Sequence, residues 1–196
     1  MFNSYAVGDA QDVITVTELA VILDVDQTDP VLPSIVQMAT SMAIEYLERE
    51  LIDRDRVLIY EHWPITGTDT TPSLSRNNAR FDVYIPLPYA TFATVNSVEV
   101  YGDTYTDYRV VQSSPVRIYV DQLPTIGNDD NPAIKIEYTA GYGPLSGDVP
   151  KQIKGAVLAL AAYLYEHRGA CDAGKALNDS GAALALTPFK MNAVNI

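Results

Sequence analysis

The chain has 196 residues, with 13 basic and 25 acidic side chains and a formal net charge of −12. With 47% hydrophobic and 19% charged residues it can bury a core, as one large domain or a domain with an insertion, and wholesale disorder is excluded. No apolar run reaches the roughly 18 residues of a membrane helix, and no basic-then-apolar start marks a secretory signal.

Residues 1–14 read as an irregular leader. Thr15-Val16-Thr17-Glu18 fits a capping box and opens a short helix with Leu19, Ile22 and Leu23 at core spacing. A polar break, Asp24 to Asp29, follows. Asp29-Pro30 reads as N-cap and first-turn proline of a long helix to about Leu51, with Ile35, Met38, Ala39, Met42 and Tyr46 as its apolar stripe. Glu45, Glu48, Arg49 and Glu50 crowd its end as solvated charges. From Val57 the period changes to two. Strands are predicted over 57–63, 81–85, 95–101, 105–111, 116–120 and 133–138, with a long polar loop at 64–78 and turn signals at Gly102-Asp103 and 127–132. Short strands with short connections imply a mainly antiparallel sheet. Gly141-Tyr142-Gly143 ends it. Asp148 and Pro150 then start a helix with Ile153, Ala156, Val157, Leu160 and Leu164 on one face, ending near Gly169. Ala182 to Leu186 gives one more helical turn.

The expected fold class is therefore α+β. Two N-terminal helices (15–56) and a long C-terminal helix (144–175) form a helical module. It carries an inserted β subdomain (57–143) and an extended tail (176–196) that becomes ordered on docking.

Charge is uneven along this order. Residues 1–62 hold 12 acidic and 3 basic side chains, a net of −9, whereas residues 150–196 hold 3 acidic and 5 basic, a net of +2. Solubility explains this simply. Docking to a partner of matching polarity, or lining a channel that repels DNA, is the sharper reading. The overall acidity opposes groove binding to duplex DNA, which rests on Lys and Arg replacing counterions.

Side-chain chemistry points to no catalytic site, metal or cofactor. Asp24, Asp26 and Asp29 lack the glycine and the terminal glutamate of a calcium loop, so they read as a solvated turn with a helix cap. His62 and His167 are far apart, and His167 is favoured by its place at a helix C-terminus. Cys171 is the only cysteine and has no oxyanion-hole setting. Gly141-Tyr142-Gly143 lacks the third glycine and Lys-Ser/Thr of a phosphate loop, so its glycines serve a tight exit. The 13 tyrosines stand out. They suit half-buried strands, and they also suit protein interfaces.

Four stretches together resemble the head–tail connector (adaptor, or head-completion) proteins of long-tailed bacteriophages and gene transfer agents. They are Val16-Thr17-Glu18-Leu19-Ala20-Val21-Ile22-Leu23-Asp24-Val25; Pro33 to Leu51 with Ala43-Ile44-Glu45-Tyr46-Leu47-Glu48; Tyr84-Ile85-Pro86-Leu87-Pro88 with Val95-Asn96-Ser97-Val98-Glu99-Val100; and Ile136 to Gly143, followed by Val149 to Leu158 and Tyr165-Glu166-His167-Arg168. The resemblance spans about Val16 to Arg168. It departs from the family at Ala20, where a basic residue is common, and at Pro188-Phe189-Lys190, where Pro-Tyr-Arg is usual.

The resemblance implies a structural virion protein at the neck, assembled in the host cytoplasm. It would form a ring, a dodecamer, beneath the portal protein, extend the DNA channel without binding DNA specifically, and carry the stopper or tail. The free chain would be a monomer, with no catalysis, cofactor or membrane. It makes Leu184, Leu186, Pro188, Phe189 and Lys190 the expected portal-docking tail, and Tyr84, Tyr101, Tyr105 and Tyr142 the expected ring or tail contacts. The alternatives are another neck or tail component (a stopper or tail terminator), a capsid decoration protein and, more remotely, a carboxylate-dependent hydrolase.

Overall fold

The structure is a computed structural model that describes residues 2–61, 83–120, 132–168 and 172–191. The expectations for His62, Cys171 and the loops at 64–78 and 127–131 lie outside the described residues. In chain order the elements are β1 (Phe2–Ala6), α1 (Val16–Leu23), α2 (Leu32–Leu47), β2 (Arg54–Tyr60), β3 (Val83–Pro86), β4 (Ala93–Val100), β5 (Asp103–Thr104), β6 (Tyr108–Val111), β7 (Arg117–Val120), β8 (Ile134–Ala140), α3 (Lys151–Glu166), α4 (Ala173–Asp179) and α5 (Ala182–Leu186). The expected α+β class is what the chain adopts. It divides into a β unit, residues 1–7 and 55–140, and a helical unit, residues 8–54 and 141–195.

The β unit holds a five-stranded sheet ordered β1-β2-β8-β4-β5 and a three-stranded sheet ordered β3-β7-β6. The leader is not wholly irregular: its first residues form β1, paired antiparallel with β2 from Phe2 opposite Tyr60 to Ala6 opposite Arg56. Alternation places the core. In β8, Ile134, Ile136, Tyr138 and Ala140 are buried, while Lys135, Glu137 and Thr139 between them are half-buried. Leu58, Ile85, Leu87, Val98, Val116 and Ile118 join the same core. Tyr138 is fully buried and its hydroxyl donates to the Pro88 carbonyl at 2.7 Å, so no polar group is stranded there. The strand expected over 105–111 is broken. Tyr101 and Gly102 both take positive φ, β5 lasts two residues, and Tyr105 N–H donates to Val98 O at 2.8 Å before β6 begins in the other sheet.

In the helical unit α1 starts as its capping box dictates. Thr15 Oγ1 accepts from Glu18 N–H at 3.1 Å, and Glu18 Oε2 accepts from Thr15 N–H at 2.7 Å. The buried face of α1 is Leu19 and Ala20, whereas Ile22 is exposed, contrary to its expected core role. Helix α2 is shorter than expected at both ends. Asp29 Oδ1 is used on the Val31 N–H at 2.9 Å, and the helix starts at Leu32 with Pro33 in its first turn. It stops at Leu47 because Glu48 turns left-handed (φ 54°), with its N–H and that of Arg49 returning to Glu45 and Ile44 carbonyls.

The stripe of α2 is also rotated from the expected one. Leu32, Ile35, Val36, Ala39, Ala43, Ile44 and Leu47 are buried, while Met38 is exposed and Met42 and Tyr46 are half-buried. The chain after the helix folds back, so Arg49 and Glu50 are buried rather than solvated, Glu50 being 1% exposed. Glu50 pairs with Arg54 at 3.7 Å, and Arg49 Nη1 donates to Tyr142 Oη at 2.8 Å.

The exit glycines have a steric cause. Tyr142 N–H and Asp53 N–H donate to Leu51 O and Gly143 O, which brings the two segments together; a Cβ on Gly141 would lie 2.5 Å from Asp53 N. Asp148 does not cap the next helix. A 3₁₀ turn at Ser146–Asp148 intervenes, Asp148 Oδ2 accepts from Leu145 N–H, and Pro150 takes the N-cap position of α3. Helix α3 buries Ile153, Ala156, Val157, Leu160, Ala161 and Leu164 against its neighbours, among them α2 and α5.

Candidate interface surfaces

Two sets of residues were expected to make contacts; the docking set and Tyr142 lie in the helical unit, and Tyr84, Tyr101 and Tyr105 in the β unit. In the helical unit, residues 176–191, part of the segment expected to become ordered on docking, are largely helical in the structure. Helices α4 and α5 and a 3₁₀ turn at Thr187–Phe189 pack on the unit, burying Ala176, Ala182, Ala183, Leu186 and Met191. Tyr46 of α2 holds the segment: its hydroxyl lies 3.3 Å from Ala183 O and 3.1 Å from Thr187 Oγ1, and Lys190 Nζ sits 5.0 Å over its ring. Met191 N–H donates to Leu47 O at 3.0 Å. The five expected docking residues therefore separate. Leu186 is fully buried and serves packing. Leu184 is 83% exposed, Pro188 and Lys190 are exposed, and Phe189 is half-buried, so these four form the surface the segment presents. The helical turn at Ala182–Leu186 was legible in the sequence; which leucine faced inward was not.

Tyr142 is half-buried and bonded to Arg49, which makes it a brace for the sheet exit. Other polar contacts brace the helical unit in the same way. Tyr165 Oη donates to Asp29 Oδ2 at 2.6 Å, with Arg168 Nη2 at 3.8 Å from the same oxygen. The tyrosine hydrogen bond, then the Val31 N–H and Arg168, hold the Asp29 carboxyl below the usual carboxylate range, and the Tyr165 hydroxyl is correspondingly raised. His167 stacks on Tyr163, centroids 4.0 Å apart, at the end of α3, where the helix dipole favours it.

In the β unit Tyr101 and Tyr105 pack partly buried against the core. Tyr84 does not belong to that set. It lies on the outer face of the three-stranded sheet, where register aligns Tyr84, Tyr119 and Arg109 in one row and Pro86, Arg117 and Val111 in the next. The rings of Tyr84 and Tyr119 are 5.9 Å apart, Arg109 lies 4.5 Å over Tyr119, and Arg117 lies 4.8 Å over Tyr84. Sequence reasoning singled out Tyr84 but missed the two arginines. The register that brings them over the rings is a tertiary fact, and alternation in Arg117-Ile118-Tyr119 was its one trace. Among the described residues no group of three or more His, Cys, Asp or Glu could hold a metal, and no helix is long and apolar enough to cross a membrane.

Comparison with known proteins adds a fold-level likeness. No family model matches the chain, and no curated protein matches it. Solved structures do. The chain is similar to one in the neck of an empty gene transfer agent particle, computed with C6 symmetry, at 22% identity and a TM-score of 0.71, covering 99% of this chain and 97% of that one. It is similar to a chain in the virion of a native gene transfer agent particle at 20% identity and a TM-score of 0.68, covering 97% and 96%. A chain in the neck of a native particle, computed with C12 symmetry, matches at 23% identity and a TM-score of 0.66, covering 99% and 97%. The shared fold spans both units.

Proposed function

We propose that this chain is a structural neck protein of a gene transfer agent or long-tailed phage particle: a head–tail adaptor that forms a ring beneath the portal, continues the DNA channel and seats the stopper or tail. One observation carries this reading. The fold matches neck chains over nearly the full length of both partners. The C6 and C12 symmetries of those necks support a ring of copies. The net charge of −12 suits a channel that does not retain DNA. The reading assigns no catalytic step and no cofactor. On this reading Leu184, Pro188, Phe189 and Lys190 are the portal-docking surface.

The test mixes the protein with portal from the same genome and images the mixture by negative-stain microscopy. An added ring on one face of the portal is expected. Truncation of the C-terminal segment would expose the core that Leu186 and Met191 cover, so the anchor is tested instead with Leu184→Asp, at an exposed position. Loss of the ring with an unchanged melting curve supports the docking role; a ring that survives moves the anchor elsewhere. A folded wild-type protein that leaves portal bare sinks the adaptor reading and points to a stopper, a tail terminator or a decoration protein.

A further inference from the structure

We propose that the Tyr84–Tyr119–Arg109–Arg117 face receives a second copy of this chain, and that what docks there is the exposed end of α1 with the acidic turn after it. The inference rests on the ring reading and names the two surfaces the ring would join.

The first surface has the composition of an interface centre. Tyrosine and arginine are the residues enriched there, because each offers a large flat area together with directed polar groups. The strands β3, β6 and β7 carry two charged side chains between them, and both are arginines. Tyr84, Tyr119 and Arg117 are half-buried and Arg109 is exposed, so the face is built but open.

The second surface is its complement. On α1, Val21 is 75% exposed and Ile22 57% exposed, side by side, although both are large and apolar. Asp24 and Asp26, both exposed, follow them directly. Residues 1–48 contain eight acidic side chains and no lysine or arginine. A pair of apolar anchors rimmed by carboxylates fits a pair of rings rimmed by guanidinium groups. The two surfaces differ from one another and lie in different units of the chain. A ring needs this arrangement, because closed rotational symmetry beyond a dimer joins unlike surfaces head to tail. Nucleic acid is the other occupant the arginines could attract, but two cations on a chain of net charge −12 make a weak phosphate track.

Cysteine cross-linking tests the contact directly, in concentrated protein under mild oxidation, with Cys171→Ser as background. Val21→Cys mixed with Arg109→Cys should give a cross-linked pair, and one chain carrying both should give a ladder. Neither single variant alone should give a cross-linked product. A dimer from Val21→Cys alone, or no product from the mixture, overturns the proposal. Charge sign gives the second readout at these exposed positions. Val21→Lys and Arg109→Glu should each lower ring formation on portal at least about tenfold, by placing like charges together. Val21→Glu should lower ring formation less than Val21→Lys does, and Val21→Lys with Arg109→Glu in one chain should recover assembly relative to either single change. Equal effects of Val21→Lys and Val21→Glu, or no recovery, refute it. If single-stranded DNA binds the wild type and not Arg109→Glu while no cross-link forms, the face belongs to nucleic acid instead. A ladder without portal binding would overturn the adaptor reading and leave this contact standing.

Discussion

Leu186→Ala decides whether the C-terminal segment is part of the folded chain before any partner arrives. Leu186 is fully buried in α5, which packs on α3. The change removes three carbons from that site, about 2.4 kcal/mol at roughly 0.8 kcal/mol per buried methylene. A residual cavity adds to this, which brings the cost to about 3 kcal/mol, within the 2–5 kcal/mol typical of such truncations. Leu184→Ala, two residues away but 83% exposed, is the control and should stay within about 0.5 kcal/mol of wild type. Urea unfolding of the free protein, followed by far-UV circular dichroism, is the assay. With a slope of about 2 kcal/mol per molar, Leu186→Ala should lower the midpoint by about 1.5 M. If it is as silent as Leu184→Ala, the segment is not packed in the free chain and the account of α4 and α5 fails.

Three further outcomes follow from particular contacts. Gly141→Ala should destabilise the helical unit by about 1–3 kcal/mol, because the new Cβ meets the Asp53 backbone rather than a side chain that can swing away; a thermal melt within a degree of wild type would contradict this. Tyr138→Phe keeps the ring but leaves the half-buried Pro88 carbonyl short of its donor, an expected loss of about 1 kcal/mol by urea titration, and no change would mean another group satisfies that carbonyl. For pH, Glu18, Asp26, Asp29 and Glu137 all have carboxyls held below their ordinary values, chiefly by hydrogen bonds from the Thr15 N–H, the Thr28 N–H, Tyr165 and Lys135. A depressed folded-state pKa contributes stability that is present above the unfolded value, about 4, and is lost as pH falls through the folded value. Asp12, raised by burial, acts in the opposite direction but stands alone. The melting temperature should therefore hold from pH 7 to about 5 and fall below about 4, less so in Asp29→Asn; a rise on acidification would refute the assignment.

The sequence by itself determined the elements whose cause is local. The capping box at Thr15 and Glu18 needs only four residues in a row, and the helix starts where it says. Strict alternation fixed the buried face of β8, and the Gly141–Gly143 exit was marked by glycines that only a close backbone approach requires. The stretches that resemble connector proteins were legible for the same reason, since each is a local pattern repeated in order.

What the tertiary structure decided were the facts that depend on a distant partner. The phase of the α2 stripe shifted because α1, α3 and α5 pack against it, and periodicity gives the spacing of a stripe but not its rotation toward neighbours. Arg49 and Glu50 looked solvated until Tyr142, about 90 residues on, and the fold-back at Arg54 covered them. The small residues of the C-terminal segment bury little alone, and only the tertiary structure supplies Tyr46, Leu47 and α3 as the surfaces they pack on. The Tyr–Arg face was invisible for the same reason. Its members lie on three strands, two of them separated in sequence by β4 and β5, and only cross-strand register sets guanidinium over ring.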